Sequence, residues 1–461
     1  MRRGVGMKHE DSWQGRLLQF CKVFWPILVT QVGLCAMNLA DTIMSGRAGT
    51  DDLAGVAIGS GLWMPVITGF TGILVAIMPI VSQLTGSGRQ QEIPQKIMQG
   101  LYASIFISLI IGVLLLLVFP PILELMGLEA GVSHIAYHYM IGLLTGIVPL
   151  FAFTVLRNFI DAQGYTFISM LVTLFAVPFN VLLNYGLIFG NLGMPRLGGI
   201  GAGYATAITY WLILIINIIL CVKLPALAKH RLFLSWPKPS LKAWKELFNI
   251  GVPIGLSIFF EVSLFSVVTL IVGGLYNKVT VAAHQIALNF SSLVFMIPLS
   301  ISMALTIVVG FSVGGGRIDN AKRYALLGAL GGIGFMALCA IFMYFNRAGI
   351  VAIYTNDAEV AVLAFQFLLF AIIYQLSDAA QASLQGVLRG YKDVRATFLI
   401  ALVSYWLIGM PSGYVLSVAT EMGPFSYWVG IIIGLTCAAV GFMLRLRIVQ
   451  RRAALSGIAT G

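Results

Sequence analysis

Charge is what this 461-residue chain has least of. Asp, Glu, Lys and Arg make up 10% of it, against about 25% in soluble domains. Hydrophobic residues make up 59% and the mean hydropathy is +0.95. That balance excludes a solvated multi-domain protein and suits one large membrane unit. Cysteine is scarce as well. Cys21, Cys35, Cys221, Cys339 and Cys437 are odd in number, lie in apolar segments and show no metal-ligand spacing, so they read as packing residues. No phosphate-binding loop and no H-E-x-x-H motif occurs. An ATP-driven pump or a membrane metalloprotease would need one of them. No enzymatic activity and no cofactor beyond a coupling ion is therefore expected. The glycines of Gly198–Gly203 precede an apolar span without a strand before them, so they read as a turn. Residues 1–16 are polar and basic, and the apolar run after them is too long for the core of a signal peptide.

What the chain has is long apolar runs. Segments of about 20 or more apolar residues are candidate transmembrane helices. Twelve can be read, at roughly 18–45, 53–83, 97–119, 132–157, 166–188, 201–222, 246–274, 280–310, 321–345, 359–387, 397–417 and 425–446. An all-α integral membrane protein follows. The longest connection, Lys223 to Lys245, holds Pro225, Pro237 and Pro239. It divides the chain into an N-terminal lobe (1–222), a cytoplasmic linker (223–245) and a C-terminal lobe with its tail (246–461), each lobe with six spans.

Charge sets the orientation. The N-terminus, the even-numbered loops and the C-terminus carry 23 of the 28 Lys and Arg residues, and the odd-numbered loops carry 4. The positive-inside rule puts both termini in the cytoplasm of a multi-pass cell-membrane protein. The basic pI thus reflects topology. Nucleic-acid binding would need a basic face on a folded domain, and no segment supplies one.

The halves are related. Residues 54–89 end in SQLTGSGR and residues 282–317 in GFSVGGGR, aligned without a gap at a shift of 228. Pro26 and Pro253 align at 227, and Gly164-Tyr165 and Gly390-Tyr391 at 226. A nearly constant shift across four spans points to duplication. Six spans is an even number, so the halves enter the membrane the same way, related by a pseudo-two-fold axis along the membrane normal. That arrangement suits a transporter with its site between two rocking bundles.

Three carboxylates, Asp41, Glu261 and Asp378, lie inside apolar spans, while the other acids fall in or at the edges of polar connections. An ionised side chain at the bilayer centre costs at least about 2.5–3.5 kcal/mol, so such residues usually line an ion or substrate path. None of the three obeys the repeat, so the lobes should do different jobs. Tyr374, Asp378, Gln381 and Gln385 share one helix face, as do Ser257 and Glu261. Gln285, Asn289 and Ser292 form a further polar stripe. These oxygens, with no Lys or Arg deep in the spans, read as a cation site. The alternative for any one amide or hydroxyl is helix-to-helix hydrogen bonding. In the first span Gln31, Asn38, Asp41 and Ser45 share a face, and in the fifth Asn180 and Asn184 follow Pro178. Asp41 could take up or release a proton there, or form a structural pair with an asparagine. Arg157 and Asp161 read as an interfacial pair at the end of the fourth span, and His284 as an interface residue.

At these residues the chain resembles the multidrug and toxic compound extrusion (MATE) family, in its NorM-like branch. NLADTIMSGRAG (Asn38–Gly49), PFNVLLNYGLIFG (Pro178–Gly190), LGGIGAGYAT (Leu197–Thr206), FFEVSLF (Phe259–Phe265) and SDAAQASLQGVLRGYKD (Ser377–Asp393) carry the likeness, which spans essentially the whole chain. The resemblance implies the MATE fold, twelve helices in two six-helix lobes, and export of organic, often cationic compounds in exchange for Na⁺ or H⁺. It implies that Glu261, Asp378 and Tyr374 bind the cation, with Glu261 and Asp378 as the Na⁺ ligands. Asp41, with Asn180, Asn184 and Asn38, would serve substrate or proton binding. Some proton-coupled relatives have a second acid where this chain has Asn184, so Na⁺ is the expected coupling ion. A monomer in the bilayer is expected. The alternative within the superfamily is a lipid-intermediate flippase, but such proteins tend to carry basic cavity residues.

Overall fold

In a bilayer every backbone N–H and C=O must be satisfied within the protein, which leaves helices as the means for these runs to cross. The computed structural model describes residues 6–459, and its regular elements are all helical. The membrane helices are α1 (Trp13–Ala48), α2 (Thr50–Gly86), α3 (Gln90–Leu125), α4 (Ala130–Leu144 and Ile147–Ala162), α5 (Thr166–Phe189) and α6 (Gly199–Lys223). The second set is α7 (Leu241–Leu275), α8 (Lys278–Gly314), α9 (Ile318–Phe345), α10 (Ala358–Gly390), α11 (Val394–Ala419) and α12 (Phe425–Ser456). Eleven helices among the described residues are long and apolar enough to span, and α4, bent by 47°, brings the number to twelve. Every span read from hydropathy is present.

Both faces of a membrane helix are apolar, so burial cannot be read from hydrophobicity alone. On α3, Phe106, Leu109, Val113 and Leu117 are exposed, whereas Ala103, Ile107, Ile111 and Leu115 are buried. The two sets sit on opposite faces at helical spacing. The exposed set is the lipid-facing side of a spanning helix.

Packing divides the chain into two compact units. One is built from Val29–Leu84 and Gly88–Gly255, the other from Met7–Leu28, Thr85–Ser87 and the chain from Leu256 onward. The linker 223–245 belongs wholly to the first. Each leading helix changes unit part-way, α1 two residues beyond Pro26 and α7 two residues beyond Pro253. Those prolines are the pair related by the repeat. A proline inside a helix removes one backbone hydrogen bond and weakens the rod at that point.

In the second unit α8 and α10 form the most extensive helix pair. Small residues allow it. A Cβ at Gly386 would lie 2.3 Å from the Ser302 carbonyl oxygen, and Thr306 Oγ1 donates to the Gly386 carbonyl at 2.9 Å. Close backbone approach of this kind is how membrane helices gain contact without a hydrophobic drive. It holds α10, the carrier of Asp378, against α8. On the other side, α11 is π-helical over Val403–Gly409 and meets α12 across glycines. A Cβ at Gly430 would lie 2.6 Å from the Gly409 carbonyl oxygen.

Candidate functional site

In the first unit Asp41 is well supplied with donors. Asp41 comes from α1, Asn180 and Asn184 from α5, Thr206 and Thr209 from α6. Asn184 Nδ2 donates to Asp41 Oδ1 at 2.7 Å, and Thr206 Oγ1 donates to Asp41 Oδ2 at 2.5 Å. Asn180 Nδ2 donates to Thr206 and Thr209, each at 3.4 Å, and Asn184 Nδ2 also reaches Asn180 Oδ1 at 3.2 Å. Asp41, Asn180 and Asn184 are all buried, and the rings of Tyr139 and Tyr210 lie near enough to feel the carboxylate's charge. Asn38 is exposed, and its carbonyl accepts from Thr42. The structure therefore brings together three of the four expected residues and adds two threonines. The threonines stand three apart in a largely apolar span, which is a signal the sequence carries.

In the second unit Glu261 and Asp378 share one amide donor. Gln381 Nε2 donates to Asp378 Oδ1 at 2.9 Å and to Glu261 Oε1 at 3.3 Å. Tyr405 donates its hydroxyl to Gln381 Oε1 at 2.9 Å. Trp406 Nε1 donates to the Phe260 carbonyl at 3.1 Å and so fixes the turn of α7 that carries Glu261. Tyr374 lies beside Asp378, its ring edge-on to Phe265 at 5.6 Å and to Trp428 at 6.1 Å. Asp378 Oδ2 is buried without a hydrogen-bond partner, as are both side-chain polar atoms of Gln375. The cluster is rich in acceptors and short of donors. Tyr374, Asp378 and Gln381 are gathered as the spacing suggested, and Glu261 joins them from α7. The α8 stripe is not part of them, because Asn289 and Ser292 are exposed and Ser292 bonds the Leu288 carbonyl of its own helix.

One sequence reading needs correction, and two gain detail. The expectation that no Lys or Arg lies deep among the acids fails at Arg389. The span was ended at 387, but α10 continues to Gly390 and buries Arg389, which is 6% exposed. Arg389 stands eleven residues, three helical turns, beyond Asp378 and so on the same face, and its charge acts on Glu261. Arg157 and Asp161 do lie at the end of their span, α4 ending at Ala162, and they are packed inside the protein there. Asp161 is 2% exposed, and atoms of both side chains are buried without hydrogen-bond partners. His284, in the second turn of α8, is fully buried. It accepts at Nδ1 from Trp428 Nε1 at 3.0 Å and meets Thr269 Oγ1 at 3.1 Å. The end of the LRGYKD stretch has a structural role, since Arg445 grips Asp393 with two bonds of 2.7 and 2.9 Å.

The profile of the MatE family matches residues 26–186 and again 253–415. The chain belongs to that family. The two matches begin at Pro26 and Pro253, the residues that mark the repeat. The chain is 48% identical to a probable multidrug resistance protein NorM of Halalkalibacterium halodurans over 446 residues, covering 97% of each chain. It is 46% identical to the protein of that name from Bacillus subtilis, with 97% of this chain and 98% of the relative covered. Among solved structures, the eukaryotic MATE transporter AtDTX14 superposes with a TM-score of 0.88 at 19% identity, covering 97% of this chain and all of the other. The Vibrio cholerae MATE transporter VcmN in its bent form gives 0.84 at 20% identity over 96% and 98%. These structures bear on the fold, which is thereby the MATE fold.

Proposed function

We propose that this NorM-like MATE protein is a multidrug efflux antiporter. It exports organic, often cationic compounds by alternating access, driven by Na⁺ entering the cell. The single observation that carries the ion assignment is the donor-poor cluster of the second unit. Two carboxylates share one amide, and Asp378 keeps a buried oxygen without a partner. Burying a charge without compensation is costly, so the cluster is a strong acceptor for a cation. Its oxygens suit a hard ion. With Glu261 and Asp378 ionised and Arg389 charged, the side chains carry one net negative charge, which one monovalent cation balances. Among the described residues no group of three or more His, Cys, Asp or Glu could hold a metal ion, which leaves a divalent or transition metal poorly served.

Glu261, Asp378 and Tyr374 are the cation-binding residues of this reading. Asp41, with Asn180 and Asn184, engages substrate or a proton. Both termini lie in the cytoplasm on this reading, which the distribution of Lys and Arg supports. Na⁺ and H⁺ neutralise the same carboxylates, so apparent Na⁺ affinity falls as pH is lowered. The test is ethidium export from vesicles containing the reconstituted protein, with Na⁺ and H⁺ gradients imposed separately. The Na⁺ gradient alone should drive export. Export driven fully by a pH gradient in Na⁺-free vesicles, with no response to Na⁺ at any pH, would overturn the assignment and move coupling toward Asp41.

A further inference from the structure

Gln381 occupies an unusual position for a neutral side chain. It is 1% exposed and is the hydrogen-bond donor that Glu261 and Asp378 have in common. Its Nε2 group faces both carboxylates, at 3.3 and 2.9 Å, and its Oε1 faces away, toward the Tyr405 hydroxyl at 2.9 Å. An amide N–H group carries partial positive charge and so stands where a cation bound by the same two oxygens would stand. The two compete for Glu261 Oε1 and Asp378 Oδ1. Relief is available in the side chain itself. The terminal amide torsion is broad and roughly two-fold, so a half-turn exchanges donor and acceptor ends at little intrinsic cost. After the turn Oε1 faces the carboxylates and can ligate the ion between them, while Nε2 faces Tyr405.

Tyr405 is the partner that permits both orientations. A hydroxyl both donates and accepts, so it bonds Oε1 in one orientation and Nε2 in the other. Tyr405 is fully buried and belongs to the π-helical turn Val403–Gly409, the kind of local irregularity often found at functional sites. That segment also places Trp406 on the Phe260 carbonyl, next to Glu261. One turn of α11 thus holds the amide and the neighbouring acid.

We propose that Gln381 is a further ligand of the transported cation, an amide that bridges Glu261 and Asp378 through its N–H groups and turns over to offer its oxygen when the ion binds, with Tyr405 as its positioning residue. This rests on the cation-site reading above and goes beyond it in naming the group that the ion displaces.

The test is calorimetric titration of NaCl into the purified full-length protein at constant ionic strength, comparing wild type with four variants. Gln381→Met removes the ligand oxygen and should weaken Na⁺ binding about tenfold or more, the effect typical of losing a group that ligates or orients at a metal site. Gln381→Glu keeps an oxygen at the same reach and should bind Na⁺ near the wild-type affinity or more tightly. Tyr405→Phe should weaken binding by less than Gln381→Met. If the amide were only a static bridge, removing it would leave two carboxylates repelling each other. Na⁺ would then bind Gln381→Met as well as wild type or better, and that result overturns the proposal. Should Gln381→Met fail to fold, infrared spectroscopy on protein carrying isotope-labelled glutamine side chains decides. A Na⁺-minus-K⁺ shift of an amide carbonyl band, absent in Gln381→Glu, is expected, and its absence in wild type overturns the proposal. A different failure is separable. Wild type that takes up no Na⁺, or Asp378→Asn that binds it normally, would remove the cation site itself and this inference with it.

Discussion

Asp41 and Asp378 are both buried aspartates in long apolar helices, yet their surroundings are opposite. Asp41 receives a separate donor on each oxygen, Asn184 on one and Thr206 on the other. Asp378 shares its amide donor, Gln381, with Glu261, has the Tyr374 hydroxyl beside it, and keeps Oδ2 without a well-formed hydrogen bond. Buried acceptors are normally satisfied, and each exception asks for a reason. On the proposed reading, the reason in the second unit is a ligand that brings positive charge. In the first unit the protein has already supplied what the acid needs, so Asp41 suits a role in which it exchanges partners: a proton, or a polar group of the substrate. The comparison also separates duplication from chemistry. The repeat reproduces the prolines, the glycines and the helices, but neither set of acids has a copy in the other half.

The largest expected effect breaks the second unit. Asp378→Asn or Glu261→Gln should abolish Na⁺-driven ethidium export, a loss of well over about tenfold, while folded protein remains in the membrane at normal levels. Normal drug resistance in cells expressing both variants at wild-type abundance would defeat the cation-site reading. Next comes Asp41→Asn, which should lower drug export several-fold while leaving the second unit's affinity for Na⁺ intact.

Much of this was open to reading before any coordinates. Hydropathy locates all twelve spans because a bilayer demands about 20 apolar residues each. Spacing of three and four along α10 gathers Tyr374, Asp378 and Gln381. The repeat appears as a constant shift and returns as the double match to the family profile. What escaped has physical causes. Arg389 was placed outside its span because hydropathy falls there, although a helix continues until something ends it and Gly390 is its last residue. Thr206 and Thr209 show in the sequence as a pair three apart, but threonine sits easily in an apolar run, so their role appears only when α1 and α5 come alongside. The π-helical turn at Tyr405 has no sequence signature, because nothing in VSYWLIG distinguishes it from a regular helix. The change of unit within α1 and α7 depends on which neighbours each segment finds, which the prolines permit but do not dictate.

A finer test of the comparison removes one of the two donors on Asp41. Thr206→Val leaves Oδ2 without its hydroxyl and should cost roughly 1–3 kcal/mol of stability or a corresponding shift in substrate affinity. The change should not alter Na⁺ binding. The smallest expected effect concerns the scaffold that holds Tyr405. Gly430→Ala places a methyl carbon 2.6 Å from the Gly409 carbonyl oxygen, and overpacking of this kind costs about 1–3 kcal/mol. A lower melting temperature with only a modest loss of Na⁺ affinity is expected. An unchanged melting temperature would show that α11 and α12 can separate freely at that point.

The account stands most directly on the division between the two units. It is tested by measuring binding of radioactive sodium to the purified protein for wild type, Asp41→Asn and Asp378→Asn at one pH. Saturable binding should survive in Asp41→Asn with affinity close to wild type and should vanish in Asp378→Asn. Loss of binding in both variants, or its loss in Asp41→Asn alone, would contradict the assignment of the coupling cation to Glu261 and Asp378.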